Sequence, residues 1–240
     1  MLREIDRDIW VAEQPLRYFG LSVGTRMTVI RLENRELAVI SPIQVNDTIV
    51  RQLSELGTIS HIIAPNLYHY LFAANFKNLY PNATFWAAPG LEAKKPDLSI
   101  DRIIKGDANS LWNGLEYVFF DGFRTIGLGG FDSLNECVFF HAASRTLILT
   151  DTAFHFDESF PIITQFASQV IGGYKNLSPS ILERVATKDK EKVRESVKKV
   201  LGWDFERVIV AHGSIIETQG KQKFKEGYQQ FLGYSVNVLN

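Results

Sequence analysis

Three short apolar runs constrain most strongly what this chain can fold into. Ile62-Ile63-Ala64 leads into Pro65-Asn66-Leu67-Tyr68-His69. Leu147-Ile148-Leu149 leads into Thr150-Asp151, and Val208-Ile209-Val210 into Ala211-His212-Gly213. Short apolar runs rich in β-branched residues and bounded by turn formers read as buried strands. Each closes on polar residues, and His69, Asp151 and His212 are of the types that ligate metals.

The rest of the chain supplies the layers around these strands. The first third predicts strands over 8–12, 26–31 and 36–40, with Glu33-Asn34-Arg35 as a hairpin connection. Residues 46–56 predict a helix capped by Asn46 or Asp47, with Ile49, Leu53 and Leu56 on one face and Gly57 at its end. A strand over 59–64, a helix over 69–79 and a strand over 83–87 follow. Leu71, Phe72, Phe76 and Leu79 mark the buried side of that helix. Strands are expected at 115–120, 136–140 and 146–150, then a surface helix over 188–201, a strand over 207–211 and a helix over 221–232. Several adjacent strands are joined by tight turns, which disfavours a doubly wound sheet. The pattern predicts an α/β (α+β) fold: a four-layer αββα sandwich of two mixed sheets flanked by helices, one domain over 1–240.

Composition narrows the function classes. Formal net charge is −1, so nothing argues for a nucleic-acid or anionic-membrane partner. No apolar stretch reaches membrane-spanning length, and the first residues lack a secretion signal's apolar core. A cytoplasmic protein is the expectation, with a small molecule as partner. The single cysteine, Cys137, excludes an internal disulfide and a Cys-rich zinc site; its apolar run reads as a buried, inert thiol.

Three stretches carry a resemblance. They are Ala64-Pro65-Asn66-Leu67-Tyr68-His69, Asn135-Glu136 with Phe140 through Asp151, and Ala211-His212-Gly213. On these the chain resembles the metallo-β-lactamase-fold superfamily over essentially its whole length. It is most similar to an uncharacterised, mostly bacterial branch with degenerate metal motifs. The family's His-x-His-x-Asp-His motif falls on Ala64, Asn66, Tyr68 and His69, so only the last His is kept. The next family His would fall near Phe131 or Asp132, and none is there. Asp151 matches the bridging Asp, and His212 the final His.

The resemblance implies one site emptied and one nearly kept. The three His of the first metal are absent. Of the second metal's ligands, His69, Asp151 and His212 remain, while Tyr68 replaces an Asp. The resemblance thus implies no cofactor or one divalent metal, zinc or iron. Two His, one carboxylate and an open position is a composition found at catalytic zinc and non-haem iron. A phenol is a poor substitute for the lost carboxylate at neutral pH. Asp132 and Glu136 are candidates to replace the missing His. His155 lies on the loop expected at the site mouth. His141 is expected to face solvent or a neighbouring loop, and His61 reads as structural.

An alternative needs no chemistry: His69 caps or packs at a helix start, and Asp151 bonds backbone N–H groups after its strand. No serine sits in a nucleophile elbow. Gly127-Leu128-Gly129-Gly130 reads as a loop rather than a phosphate cradle. The apolar run from Phe154 to Gly173 reads as an ordinary packed helix, or else as a lid or dimer face over the site. Three functions follow, the third being non-metal enzyme chemistry in the cleft that the sequence does not specify. In the first, favoured by the replaced ligands, the protein is no di-zinc hydrolase. Its cleft, lined by Asn66, Tyr68 and His69, binds a ligand or partner. In the second, one metal on His69, Asp151 and His212 hydrolyses a small ester, amide or thioester.

Overall fold

A computed structural model describes residues 1–105, 110–127, 130–234 and 236. β1 (Arg3–Asp6) and β2 (Ile9–Gln14) form a hairpin, and β3 (Arg17–Tyr18) and β4 (Leu21–Ser22) a small ribbon beyond it. β5 (Thr25–Arg31) pairs antiparallel with β2 and with β6 (Glu36–Ile40). The connection over 33–35 is a 3-10 turn in which Asn34 and Arg35 take positive φ.

From β6 onward this sheet is parallel, so helices must carry the chain back. α1 (Asp47–Leu56) leads to β7 (Thr58–Ala64), and α2 (Ala73–Leu79) to β8 (Thr84–Ala87). α3 (Leu91–Lys94) precedes the short β9 (Arg102–Ile103). Asn46 caps α1, its side chain accepting from the Ile49 N–H at 3.0 Å. Gly57 closes it because a Cβ there would lie 2.0 Å from the Arg35 carbonyl oxygen.

The second sheet runs β10 (Ser110–Trp112) and β11 (Leu115–Phe120), with a separate hairpin of β12 (Arg124–Gly127) and β13 (Gly130–Ser133) inserted before β14 (Glu136–His141). β15 (Thr146–Leu149) is antiparallel to β14; after α4 (Ile162–Ile171), α5 (Ile181–Ala186) and α6 (Lys190–Leu201), β16 (Arg207–Val210) pairs parallel with β15. α7 (Gly220–Leu232) follows. Of the glycine-rich stretch, Gly127 and Gly130 pair across the hairpin, while Leu128 and Gly129 lie outside the described residues.

Strand alternation sorts the core into three layers of packing. In β14, Cys137 and Phe139 face the first sheet and Val138 and Phe140 face the helices. Ile148 and Ile209 face inward likewise, while Leu147, Leu149, Val208 and Val210 face outward. The inward set meets Ile9, Val11, Ile30, Ala38, Ile40 and Ile63 of the first sheet. The outward set meets Val193, Val197 and Val200 of α6 and Phe224, Tyr228 and Phe231 of α7. The first sheet's other face packs on Ile49 and Leu53 of α1 and on Ala73 and Phe76 of α2. Helix, sheet, sheet, helix is the expected order. Both faces of these strands are covered, which is why they read as unbroken apolar runs.

Two expectations need correction. The helix expected at 69–79 begins only at Ala73. The Asn66 side-chain oxygen accepts from the N–H of Tyr68 and of His69, both at 2.8 Å. That turn competes with helix over the first residues. Leu71 and Leu79 are consequently exposed, and Ala73 and Phe76 carry the packing. The second correction is α4, which is not an ordinary packed helix. Ile162, Ile163, Phe166 and Val170 are 82, 74, 68 and 64% exposed, while Thr164 and Ser168 are buried. Its polar face points in and its apolar face points out.

Candidate functional site

Parallel pairing brings the key residues to one edge. β15 and β16 align Leu149 with Val210, so Asp151 and His212 each stand two residues beyond the matched pair. β6 and β7 align Ile40 with Ile63, which sends Ser41 and the segment 66–69 to the corresponding edge of the other sheet. There the His69 Nε2 lies 3.3 Å from Asp151 Oδ2 and 3.1 Å from His212 Nε2. His212 Nε2 lies 3.4 Å from Asp151 Oδ1.

The outer partners orient both rings. His212 Nδ1 lies 2.6 Å from the Gly24 carbonyl, which only accepts, so this nitrogen carries the hydrogen. In the neutral ring Nε2 is then a bare lone pair aimed into the cluster. His69 Nδ1 is held at 2.6 Å by Ser41 Oγ. Ser41 is buried with φ of 55°, a left-handed conformation that a serine adopts at some cost and that here serves this contact. Gly213, with φ of 109°, passes so close to His155 that a Cβ would lie 2.0 Å from its carbonyl oxygen.

Arg26 locks the same loop from below. Its guanidinium donates to the carbonyl oxygens of Val210 and, at 2.7 Å, Gly213, which flank His212, and pairs with Glu13 at 2.9 Å. Burial draws its pKa down, opposed by Glu13. Sequence reading missed it; the only signal was a charge inside the apolar strand β5.

The donor set fits a divalent metal. Ligands about 2.0–2.1 Å from a tetrahedral ion stand about 3.3 Å apart, which matches the three separations. A ligating His that hands its other nitrogen to a carbonyl or hydroxyl is the usual outer arrangement. Among the described residues these three form the group whose ligand atoms converge this way. Burial works against the charge on Asp151, but His69 and His212 outweigh it and hold the carboxyl well below the usual range. Burial works against the charge on His69 too, and Asp151 outweighs it, raising this ring's pKa.

The other candidates take structural places. Asn66 is fully buried and does not line the cleft. Its two amide hydrogens are shared among Glu136, Thr150 and Asp151, at 3.1, 3.0 and 2.8 Å, so a hydrogen-bond donor stands where the resemblance aligns a His ligand. Glu136 is no ligand either. Its oxygens accept from the Thr150 and Asp151 N–H groups, Thr152 Oγ1 and Asn66, which fills its capacity. Asp132 accepts from the Tyr68 hydroxyl at 3.0 Å and from Lys94 at 3.2 Å, and the Lys94 ammonium sits 3.7 Å from the Tyr68 ring centre. Burial, then Asp132, drive the Tyr68 pKa well up, so Tyr68 stays a neutral phenol. His155 is buried and donates to the Ser214 carbonyl at 3.0 Å rather than assisting at the mouth. His141, expected to face solvent or a loop, is buried with Nδ1 2.7 Å from Ser144 Oγ in its own turn.

Above the cluster lies a cavity of about 310 Å³. His69, Asp151 and His212 form its polar base, and Tyr68 lines one side. The walls come from the β3–β4 ribbon, the β12–β13 hairpin, α4 and α5.

Comparison with known proteins places this geometry. Residues 6–176 match the family model described as "Domain of unknown function (DUF4336)". The chain belongs to that family. A comparison with curated proteins found no match. Among solved structures, the DIM-1 metallo-β-lactamase is similar with a TM-score of 0.66 and 12% identity, over 96% of this chain and 97% of that one. A metallo-β-lactamase from Pontibacter korlensis gives 0.64 and 10%, over 97% and 98%. The Flv1 flavodiiron core from Synechocystis sp. PCC6803 gives 0.62 and 14%, over 97% of this chain and 60% of that one. The fold is that of the metallo-β-lactamases.

Proposed function

We propose that this member of the family is a single-metal hydrolase of a small ester, amide or thioester. One divalent ion, zinc or iron, is held by His69, Asp151 and His212. The observation that carries the reading is the His212 ring: its Nδ1–H is committed to the Gly24 carbonyl, which leaves Nε2 free to ligate beside Asp151 and His69. Bound there, a divalent metal supplies Lewis acidity and water activation near neutral pH. The chain's own residues do the rest. Ser41 and Gly24 fix the two rings, and Arg26 fixes the His212 loop. Asn66 and Glu136 hold Asp151 and close the neighbouring position to a second ion. The apolar walls receive the substrate and exclude water from it.

The test is elemental analysis of tag-free protein purified without chelator, with His212→Ala alongside. The expected result is about one zinc or iron per chain, lost together with any esterase activity in the variant. Full activity of His212→Ala in the presence of chelator would sink the reading.

A second reading has its own observation. His69 Nε2 lies 3.1 Å from His212 Nε2 and 3.3 Å from Asp151 Oδ2, so one hydrogen on it pairs the polar base without an ion. On that reading the cavity is a metal-free binding site. Metal content near zero, with no uptake on adding zinc, would select it.

A further inference from the structure

The cavity's walls point to what it takes. Resting on the hydrolase reading above, we infer that the substrate presents an apolar acyl chain.

Leu16, Leu21, Val23, Phe72, Ile126 and Leu134 line the cavity, and none of the described lining residues is a lysine or arginine. The ionisable carboxyls there are Asp151, committed to the two histidines, and Glu183. Glu183 accepts from the Ser180 N–H at 3.0 Å, from the Ser180 hydroxyl and from Thr125 Oγ1 at 3.1 Å, so its charge is already used in capping α5. Away from the metal position at its base, the cavity offers a carboxylate or phosphate no basic side chain, so such a group would lose its hydration without return. A hydrocarbon chain loses nothing. The volume of about 310 Å³ has room for such a chain.

The way in is apolar too. Tyr18, Leu71 and Leu182 both line the cavity and reach the surface, at 54, 63 and 40% exposure. The inverted helix α4 belongs to the same wall, with Thr164, Ser168 and Ile171 on the cavity side and Ile163 and Phe166 outside. A chain leaving an apolar phase therefore meets apolar surface at the rim and inside.

The reaction is ordinary hydrolysis. The water oxygen bonds to the acyl carbon, the bond from that carbon to the leaving oxygen or sulfur breaks, and one water proton goes to the leaving group. The products are a fatty acid and an alcohol or thiol, with nothing oxidised or reduced.

The test reads binding apart from catalysis. Neutral 1-alkanols from butanol to dodecanol are titrated against N-phenyl-1-naphthylamine bound to the full chain, with wild type, Leu182→Glu and His212→Ala. Expected is one site, tightened about fourfold per added methylene until the chain fills the cavity and then level. Leu182→Glu, a surface change at the rim, should weaken decanol at least tenfold while keeping wild-type metal content and melting temperature. In His212→Ala, which alters the cavity base, the gain per methylene should persist whatever the absolute affinity. Absence of displacement, or no gain with chain length, overturns the inference whatever the metal content. Decanol binding unchanged in Leu182→Glu overturns the placement of the chain in this cavity. Loss of metal with intact, length-dependent decanol binding removes the hydrolase and leaves the acyl-chain site standing. With metal bound, p-nitrophenyl decanoate should be cleaved with a higher kcat/KM than the acetate; the reverse order counts against the acyl chain as substrate.

Discussion

A histidine becomes a ligand through what holds its other nitrogen. His212 and His69 owe their aim to Gly24 and Ser41, neither of which carries a metal-binding side chain. Arg26 acts one step further out, on the carbonyls at either side of His212. Arg26→Met keeps much of the side-chain volume and removes these charge-assisted bonds. It should cost about 2–4 kcal/mol in urea denaturation, because two buried carbonyls lose their donor. It should also weaken zinc binding about 10–100-fold in a competition titration, as loss of outer-shell support does. A folded variant with wild-type zinc affinity would show that Arg26 supports the fold alone. Asn66 illustrates the opposite change. An amide that shares its two hydrogens among three acceptors, where the resemblance aligns a ring nitrogen, braces Asp151 instead.

Elements matter here through which face they turn inward. In α6 the charged residues face water and Val193, Val197 and Val200 face the sheet, as periodicity predicts. α4 breaks the rule because its buried side covers a cavity rather than a packed core. Thr164 spends its hydroxyl on the Ser22 carbonyl and Ser168 on the Gln165 carbonyl. The outward apolar residues contribute little to stability. Ile163→Lys and Phe166→Glu should each change the unfolding free energy from urea denaturation by no more than about 0.5 kcal/mol. A combined loss above about 2 kcal/mol would mean that the outer face is packed in solution, which sedimentation would then reveal as self-association.

At the scale of the whole molecule the site is a joint between two sheets, so filling it ties the halves together. An ion bound to the folded chain alone, at about one hundred times its Kd, adds about 2.7 kcal/mol. For a chain of this size that is about 5–10 °C in Tm. Zinc at about one hundred times its Kd should therefore raise Tm by that amount, and should leave His212→Ala unmoved. An equal rise in the variant would place the ion elsewhere. The sandwich itself was legible in the sequence. Runs such as Leu147-Ile148-Leu149 and Val208-Ile209-Val210 are apolar at every position because one residue in two packs on the other sheet and the next on a helix. The grouping of His69, Asp151 and His212 was legible by likeness to a known pattern, since each ends a recognisable strand. Three things were not. Arg26, Gly24 and Ser41 act through contacts across 28 to 188 positions of chain, and no local pattern encodes such distances. The inversion of α4 was hidden because apolar periodicity reports which side of a helix is greasy, not whether core or open surface lies against it. Glu136 and Asp132 looked like ligands because composition cannot say whether a carboxylate's lone pairs are already taken. Local apolarity and strand-end chemistry are properties of the chain itself and determined the layers. Ring orientation, hydrogen-bond saturation and the cavity arise only when distant segments meet, and the tertiary structure alone decided them.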